Sequence, residues 1–363
     1  MLKSVSLSAA VALALALAAS HQVHAAADAP GAVFALTNAA GGNAVVLWPR
    51  AADGSLGPAV STPTGGAGNG AGLGSQGAVV VSADRRYLFA VNAGSGSVSS
   101  FRIEPSGLHL VDVEASGGAT PTSLTVHGGL LYVLNAGVPN TIAGLRVAAD
   151  GSLEPLAGSA RPLSAASTAP AEVAFTSDGR SLVVTERGTN VIDVYTVDAG
   201  GLADGPYVYA SAGPVPFGFA LDRQDNLVVS EAGTGGGASS YRVSGPVLTP
   251  VSSMVMTGQR AACWAILSKN GQFGYVTNAG TGNISGFSVD RDGTVALLDA
   301  SGVTATTGGN PTDMAMSHDG RYLYARVAAL AEIAVFRIGP DGALAPLAPL
   351  TGTPAGLAGL AGY

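Results

Sequence analysis

The chain has 363 residues, with 17 Lys or Arg against 24 Asp or Glu and a formal net charge of −7, and no Lys/Arg run occurs in it. That balance argues against nucleic acid or an anionic membrane surface as a partner. Hydrophobic residues make up 47%, and 52 glycines without a collagen period mean either disorder or many tight turns; the regular apolar runs between them decide for turns.

In chain order, Lys3, the apolar run VALALALAA at 11–19 and a small-residue site near Ala25 read as a secretory signal over residues 1–25. The run is too short to cross a bilayer, and no later stretch qualifies. The mature chain, 26–363, is expected in a periplasm or outside the cell. Cys263 is the only cysteine, so no internal disulfide forms, and an unpaired exported thiol is expected to be buried.

From residue 31 the chain repeats one pattern. In its clearest copy the strand AEVAF meets the turn TSDGR, the β-branched strand SLVVT follows, then the polar turn ERGTN, a third strand VIDVYTV and a weaker outer strand. Asp-Gly, Asn-Gly and Gly-Gly pairs supply the positive φ that two-residue hairpins need. Aligning the turn after the second strand gives Asn38, Asn92, Asn135, Glu186, Glu231, Asn278 and Val327, spaced by 54, 43, 51, 45, 47 and 49 residues. Those spacings suit four-stranded blades, and helical periodicity is absent. The expected fold is all-β: a single-domain, seven-bladed β-propeller of antiparallel blades. The first repeat, GAVFALTN, begins at its second strand. The segment GTPAGLAGLAGY aligns with inner-strand beginnings elsewhere, so a strand near 357–360 is expected to complete the first blade.

In such a ring, loops leading into the inner strands and loops leaving the second strands converge at one mouth of the central channel, where ligand sites form on a rigid scaffold. The first set supplies Gln76, Thr122, Ala171, Glu172, Phe217, Cys263, Trp264, Thr312 and Asp313. The second supplies the Asn and Glu positions above, with Arg187. Asn before Ala-Gly also caps a turn, a purely structural role for Asn92, Asn135 and Asn278. Glu has no such turn chemistry. Glu186 and Glu231 on neighbouring blades are therefore candidates to share a proton, to bind a divalent cation, or to act as base and orienting group, unless Arg187 or Arg260 pairs with them. Phe217 and Trp264 offer an apolar platform for a ring or a plug for the channel.

Three motifs fail. GLGSQG at 72–77 matches G-x-G-x-x-G but precedes a strand instead of following one, so the glycine-rich stretch 64–74 reads as a flexible loop at the mouth. DRDG at 290–293 begins like a calcium loop and lacks the later ligands. His127 and His318 fall in turns at the far end of the blades and His109 in an outer strand, so they assemble neither a metal site nor a Ser-His-Asp arrangement.

The segments NAGSGSVSSFRI, PAEVAFTSDGRSLVVTERGTNVIDVYTVD, PFGFALDRQDNLVVSEAG and ACWAILSKNGQFGYVTNAGTGNISGFSV resemble the lactonase family of seven-bladed propellers, which includes propeller-type 6-phosphogluconolactonases and fungal 3-carboxy-cis,cis-muconate lactonizing enzymes. The resemblance covers nearly all of the mature chain. It implies lactone hydrolysis, with Glu186 or Glu231 as base, Arg187 on the oxyanion, and Asn92, Asn135, Asn278, Gln76, Phe217 and Trp264 around the substrate. The family's His after a Pro has no match, since the corresponding loop reads Pro170-Ala171-Glu172, where a tuned Glu has to serve. Export and the absence of a basic cluster at the mouth favour an uncharged, sugar-derived lactone over a phosphorylated one. A non-catalytic propeller that uses this face for recognition is the alternative. A monomer with a small-molecule ligand is expected, without nucleic acid, membrane insertion or an obligatory cofactor.

Overall fold

The computed structural model describes residues 31–363; the signal segment at 1–25 lies outside the described residues. Seven antiparallel sheets form a ring, each running from an inner strand at the axis to an outer edge. The inner strands of blades 1 to 7 are Ala358–Gly362, Val79–Val81, Pro121–His127, Pro170–Phe175, Pro216–Leu221, Ala262–Leu267 and Pro311–Met316. The second strands are Gly31–Leu36, Tyr87–Asn92, Leu130–Asn135, Ser181–Glu186, Asn226–Glu231, Phe273–Asn278 and Tyr322–Val327. Each inner strand touches the next around the circle, and the last meets the first. In blades 3 and 6 the outer position is split into two short strands, both paired with the third strand. The one helical element among the described residues is the three-residue 3-10 turn Ala328–Leu330.

Burial explains the sequence pattern. A second strand is flanked by neighbouring blades on both faces, so Gly31–Leu36, Tyr87–Asn92, Ser181–Glu186 and Asn226–Glu231 are buried at every position and read as continuous apolar runs. Outer strands such as Leu344–Thr351 are largely exposed. A polar staple recurs between blades: a side chain among the first three residues of a second strand donates to a backbone carbonyl in an outer turn of the next blade. Tyr87 reaches Ala149 O (2.8 Å), Tyr132 reaches Gly201 O (2.8 Å), Ser181 reaches Gly245 O (3.1 Å), Tyr275 reaches Gly342 O (2.9 Å) and Tyr322 reaches Ala52 O (3.0 Å). The phenol body fills the gap between sheets while its hydroxyl satisfies a buried carbonyl.

Closure is as expected from the sequence. The strand Ala358–Gly362 pairs with Gly31–Leu36, matching Phe34 with Ala361 and Leu36 with Ala358. Strands from the two ends of the described chain thus share blade 1.

Candidate functional site

The mouth at which the second strands end, here the upper mouth, was expected to gather the Asn and Glu positions around open space. The structure corrects this placement. Asn92, Asn135, Glu186, Glu231 and Asn278 have no exposed surface. Each turns outward along its blade and ties the end of the second strand to the third strand or to the loop returning from the previous blade. Asn92 donates to Ser97 and Ser99 (3.2 and 2.7 Å), and Asn278 to Asn283 and Ser285 (2.7 and 2.8 Å). Asn135 donates to Ser116 O at 3.2 Å. Glu231 accepts from Ser211 and Ser239 (2.7 and 2.6 Å). Glu186 accepts from the Ser164 amide (2.9 Å) and from the Ser164 and Thr189 hydroxyls. Glycines cover several of them: a Cβ at Gly66, Gly118 or Gly213 would fall 2.5, 2.6 or 2.6 Å from Asn92, Asn135 or Glu231. The two glutamates share no partner. Arg187 and Arg260, expected as their counterions, donate instead to Ala169 O and Gly280 O.

The acid charges are nonetheless perturbed. Asp193, overlooked although it interrupts the apolar strand Val191–Val197, lies beside Glu186, and both accept from the Ser164 amide. Burial first, then the neighbouring Glu186 carboxylate, push the Asp193 carboxyl well up. Burial lifts Glu231 to about 7 against the pull of Ser239 and Ser211, and lifts Asp313 to about 7. The folded protein therefore holds protons that the unfolded chain releases near pH 4, and stability falls as pH rises from about 4 to 7. By pH 8 Glu231 and Asp313 each remove roughly 3–4 kcal/mol. The thermal midpoint is expected to drop between pH 5 and pH 8, and Glu231→Gln, with the same shape and no proton to lose, should flatten the drop. A midpoint that rises over this range in calorimetry contradicts the assignment.

At the axis the loop 72–76 closes the upper mouth. Ser75 Oγ donates to Thr122 O (2.7 Å), and Gln76 N to Ala171 O (3.0 Å). The Gln76 amide then crosses the channel: its Nε2 donates to Phe219 O and Ala265 O (3.0 and 2.8 Å), and its Oε1 accepts from Ala265 N (3.0 Å). Gly218 leaves the room, since a Cβ there would overlap the Gln76 oxygen and approach Cys263 O to 2.8 Å. Trp264 Nε1 donates to Ser75 O at 2.9 Å and its ring packs on Phe217, centroids 5.0 Å apart. The Arg187 guanidinium stacks on Phe217, 4.9 Å from the ring centre, with no carboxylate in ion-pair reach among the described residues. The structure therefore brings Gln76, Arg187, Phe217 and Trp264 together. Cys263 is buried beside them, its thiol pushed up to about 12 by burial, which makes it a poor nucleophile. The glycine-rich stretch, expected to be flexible, is packed against the rim, with Gly68 N bonded to Ala39 O and Gly94 N to Ala67 O (both 2.9 Å).

Two carboxyls of the inner strands complete the site. Glu172 Oε2 accepts from Phe219 N (2.6 Å); burial, and then Asp313, hold it well above the usual carboxylate range. Asp313, at a backbone φ of 62°, keeps Oδ2 buried without a hydrogen-bond partner. Inner strands carry a register shift at their upper ends, at Pro170/Glu172, Pro216/Phe219, Ala262/Ala265 and Pro311/Met314, and such bulges re-aim side chains beside active sites. A guanidinium without a counterion can stabilise an oxyanion, and a carboxyl with a raised pKa can move a proton. Among the described residues no group of three or more His, Cys, Asp or Glu is arranged to hold a metal ion, and no helix is long and apolar enough to cross a membrane.

The family described as lactonase, 7-bladed beta-propeller, matches residues 64–161, 138–246 and 248–351. No curated protein matches the sequence. Among solved structures the chain is similar to the periplasmic gluconolactonase of Pseudomonas aeruginosa, at 20% identity over 90% of this chain and 98% of that one, TM-score 0.71. It is also similar to a candidate 6-phosphogluconolactonase of Bacteroides fragilis, at 19% identity over 92% and 98%, TM-score 0.70. A Lactobacillus plantarum protein is similar at 17% identity over 91% and 98%, TM-score 0.71. At these identities the likeness to solved structures is one of fold, whereas the family match extends over most of the sequence: the chain belongs to the lactonase family of seven-bladed β-propellers.

Proposed function

We propose that this protein is an exported lactonase-type hydrolase that opens a small uncharged, sugar-derived lactone at the upper mouth. One observation carries the reading: Glu172, two residues after Pro170 in the loop where the family's His has no match, is a buried carboxyl with a raised pKa, on the same blade as the counterion-free Arg187. Glu172 takes a proton from water as the water oxygen attacks the lactone carbonyl carbon. Arg187 receives the oxyanion, the ring C–O bond breaks, and the proton passes from Glu172 to the departing alkoxide, leaving a hydroxy acid. Phe217 and Trp264 border the ring, and the Phe219 amide fixes Glu172. Asn92, Asn135, Asn278, Glu186 and Glu231 hold the rim, because donors and glycines already enclose them. Export rests on the signal pattern at 1–25.

Acid release from glucono-1,5-lactone and from its 6-phosphate, measured above the spontaneous rate, tests this. The uncharged lactone should be preferred. Glu172→Gln should lower kcat by about 100-fold or more, while Glu186→Gln and Glu231→Gln stay within about tenfold of the parent. Loss in the latter two with Glu172→Gln active reverses the assignment. The loop that fills the mouth favours a second reading, a non-catalytic recognition propeller; absence of turnover on both lactones would support it.

A further inference from the structure

The opposite, lower mouth is built from the turns that join inner to second strands. Four of them share a clamp in which the first residue's hydroxyl donates to the third residue's side chain: Ser82 to Asp84 (2.6 Å), Thr176 to Asp178 (2.8 Å), Ser268 to Asn270 (2.6 Å) and Ser317 to Asp319 (2.5 Å). The clamp turns acceptor oxygens back into the turn and leaves the second residue projecting. On blades 6 and 7 that second residue is Lys269 or His318; the equivalent turn of blade 5, which begins with Asp222 instead of a hydroxyl residue, presents Arg223; all three are exposed, and Arg85 adds a further cation from blade 2. The sequence shows no basic run because Arg223, Lys269 and His318 lie 46 and 49 positions apart, one per repeat.

The local acids are already engaged. Asp222 accepts from Gln224 N and Asn226 N (2.8 and 2.9 Å), and Asp225 from Ser177 N and Oγ (2.6 and 3.0 Å). Asp319 accepts from Arg321 Nε at 2.9 Å, with Arg50 at 3.9 Å. By contrast, Arg223 and Lys269 make no hydrogen bond or ion pair among the described residues. Their charges are felt by their neighbours: partial desolvation and then Arg223 hold the Lys269 ammonium below its ordinary value, and Arg85 foremost, with Lys269, does the same to His318. Arg223 and Lys269 line one recess of about 580 Å³ with Gln224, Asn270, Ser177 and an apolar floor that includes Phe175. That volume lies in the range of small-ligand sites.

We propose that this recess is a second ligand site, distinct from the upper mouth, for a monosaccharide-sized anion bearing phosphate or carboxylate groups, with Arg223 and Lys269 as its charged contacts and Gln224 and Asn270 as its hydrogen-bond partners. A planar guanidinium fits two oxygens of such a group, and the ammonium supplies a point charge beside it.

Titration calorimetry with inorganic pyrophosphate and with citrate, at low ionic strength, tests the site; the two probes separate phosphate from carboxylate recognition. Saturable binding of one equivalent of at least one probe is expected, weakening as salt is added. The double variant Arg223→Gln/Lys269→Gln should weaken it at least about tenfold with an unchanged thermal midpoint, because both side chains are exposed. Arg223→Lys, which keeps the charge, should retain most of the affinity, and Glu172→Gln at the other mouth should leave it unaltered. Absence of saturable binding of both probes, or an affinity unchanged in the double variant, overturns the proposal.

Discussion

Deletion of residues 355–363 is expected to unfold the protein at physiological temperature. The segment provides the inner strand of blade 1, Ala358–Gly362, and buries Leu357 and Leu360 against the blade 7–blade 1 core. Without it Phe34 and Leu36 lose their cross-strand partners, and the inner strands of blades 7 and 2 face a gap. Two buried leucines alone are worth about 2–3 kcal/mol each, and the lost ladder and exposed core add to this. The total exceeds about 5 kcal/mol, comparable with the whole stability of a typical domain. Circular dichroism on heating is the check. A truncated chain melting cooperatively within about 5 °C of the parent would mean that blade 1 does not depend on this strand.

Gly218 and Gln76 are expected to show the second large effect, and to show it as a pair. Gly218→Ala forces its Cβ into the Gln76 amide and should destabilise by about 1–3 kcal/mol. Gln76→Ala empties the crossing and strips partners from Ala265 N, Ala265 O and Phe219 O, at about 1–3 kcal/mol for each group left dry. In the double variant the overlap with the Gln76 amide disappears and only the 2.8 Å approach to Cys263 O remains, so its cost should fall below the sum of the singles by about 1 kcal/mol or more. Strict additivity in chemical denaturation would show that the two residues do not meet in the channel.

The fold was legible because its determinants are local. Asp-Gly and Asn-Gly turns, β-branched runs and a spacing of some four dozen residues specify blades, and the unpaired first repeat announces the closing strand, expected near 357–360 and found at Ala358–Gly362. The candidate site was legible in position and much less so in environment. Glu186 and Glu231 stand at the expected ends of their strands, but which way a side chain turns depends on the neighbouring blade, and a strand buried on both faces has no periodicity to reveal it. Asp193 left a signal, an acid inside an apolar strand. Gln76 was placed at the mouth, but its crossing of the channel left no signal, since its partner Phe219 is 143 residues away and the room comes from a missing side chain at Gly218. The basic arc of the lower mouth emerges only when the turns are superposed, one residue per blade.

In the proposed mechanism Glu172, on the channel wall of blade 4, is the base of lactone hydrolysis. The pH dependence of glucono-1,5-lactone hydrolysis, corrected for the spontaneous reaction and measured for the parent and Glu172→Gln, tests it most directly. The parent rate is expected to climb as a carboxyl with a pKa above the usual range loses its proton, and the variant to stay near background at every pH. A folded Glu172→Gln protein with the parent's rate and pH profile would contradict it.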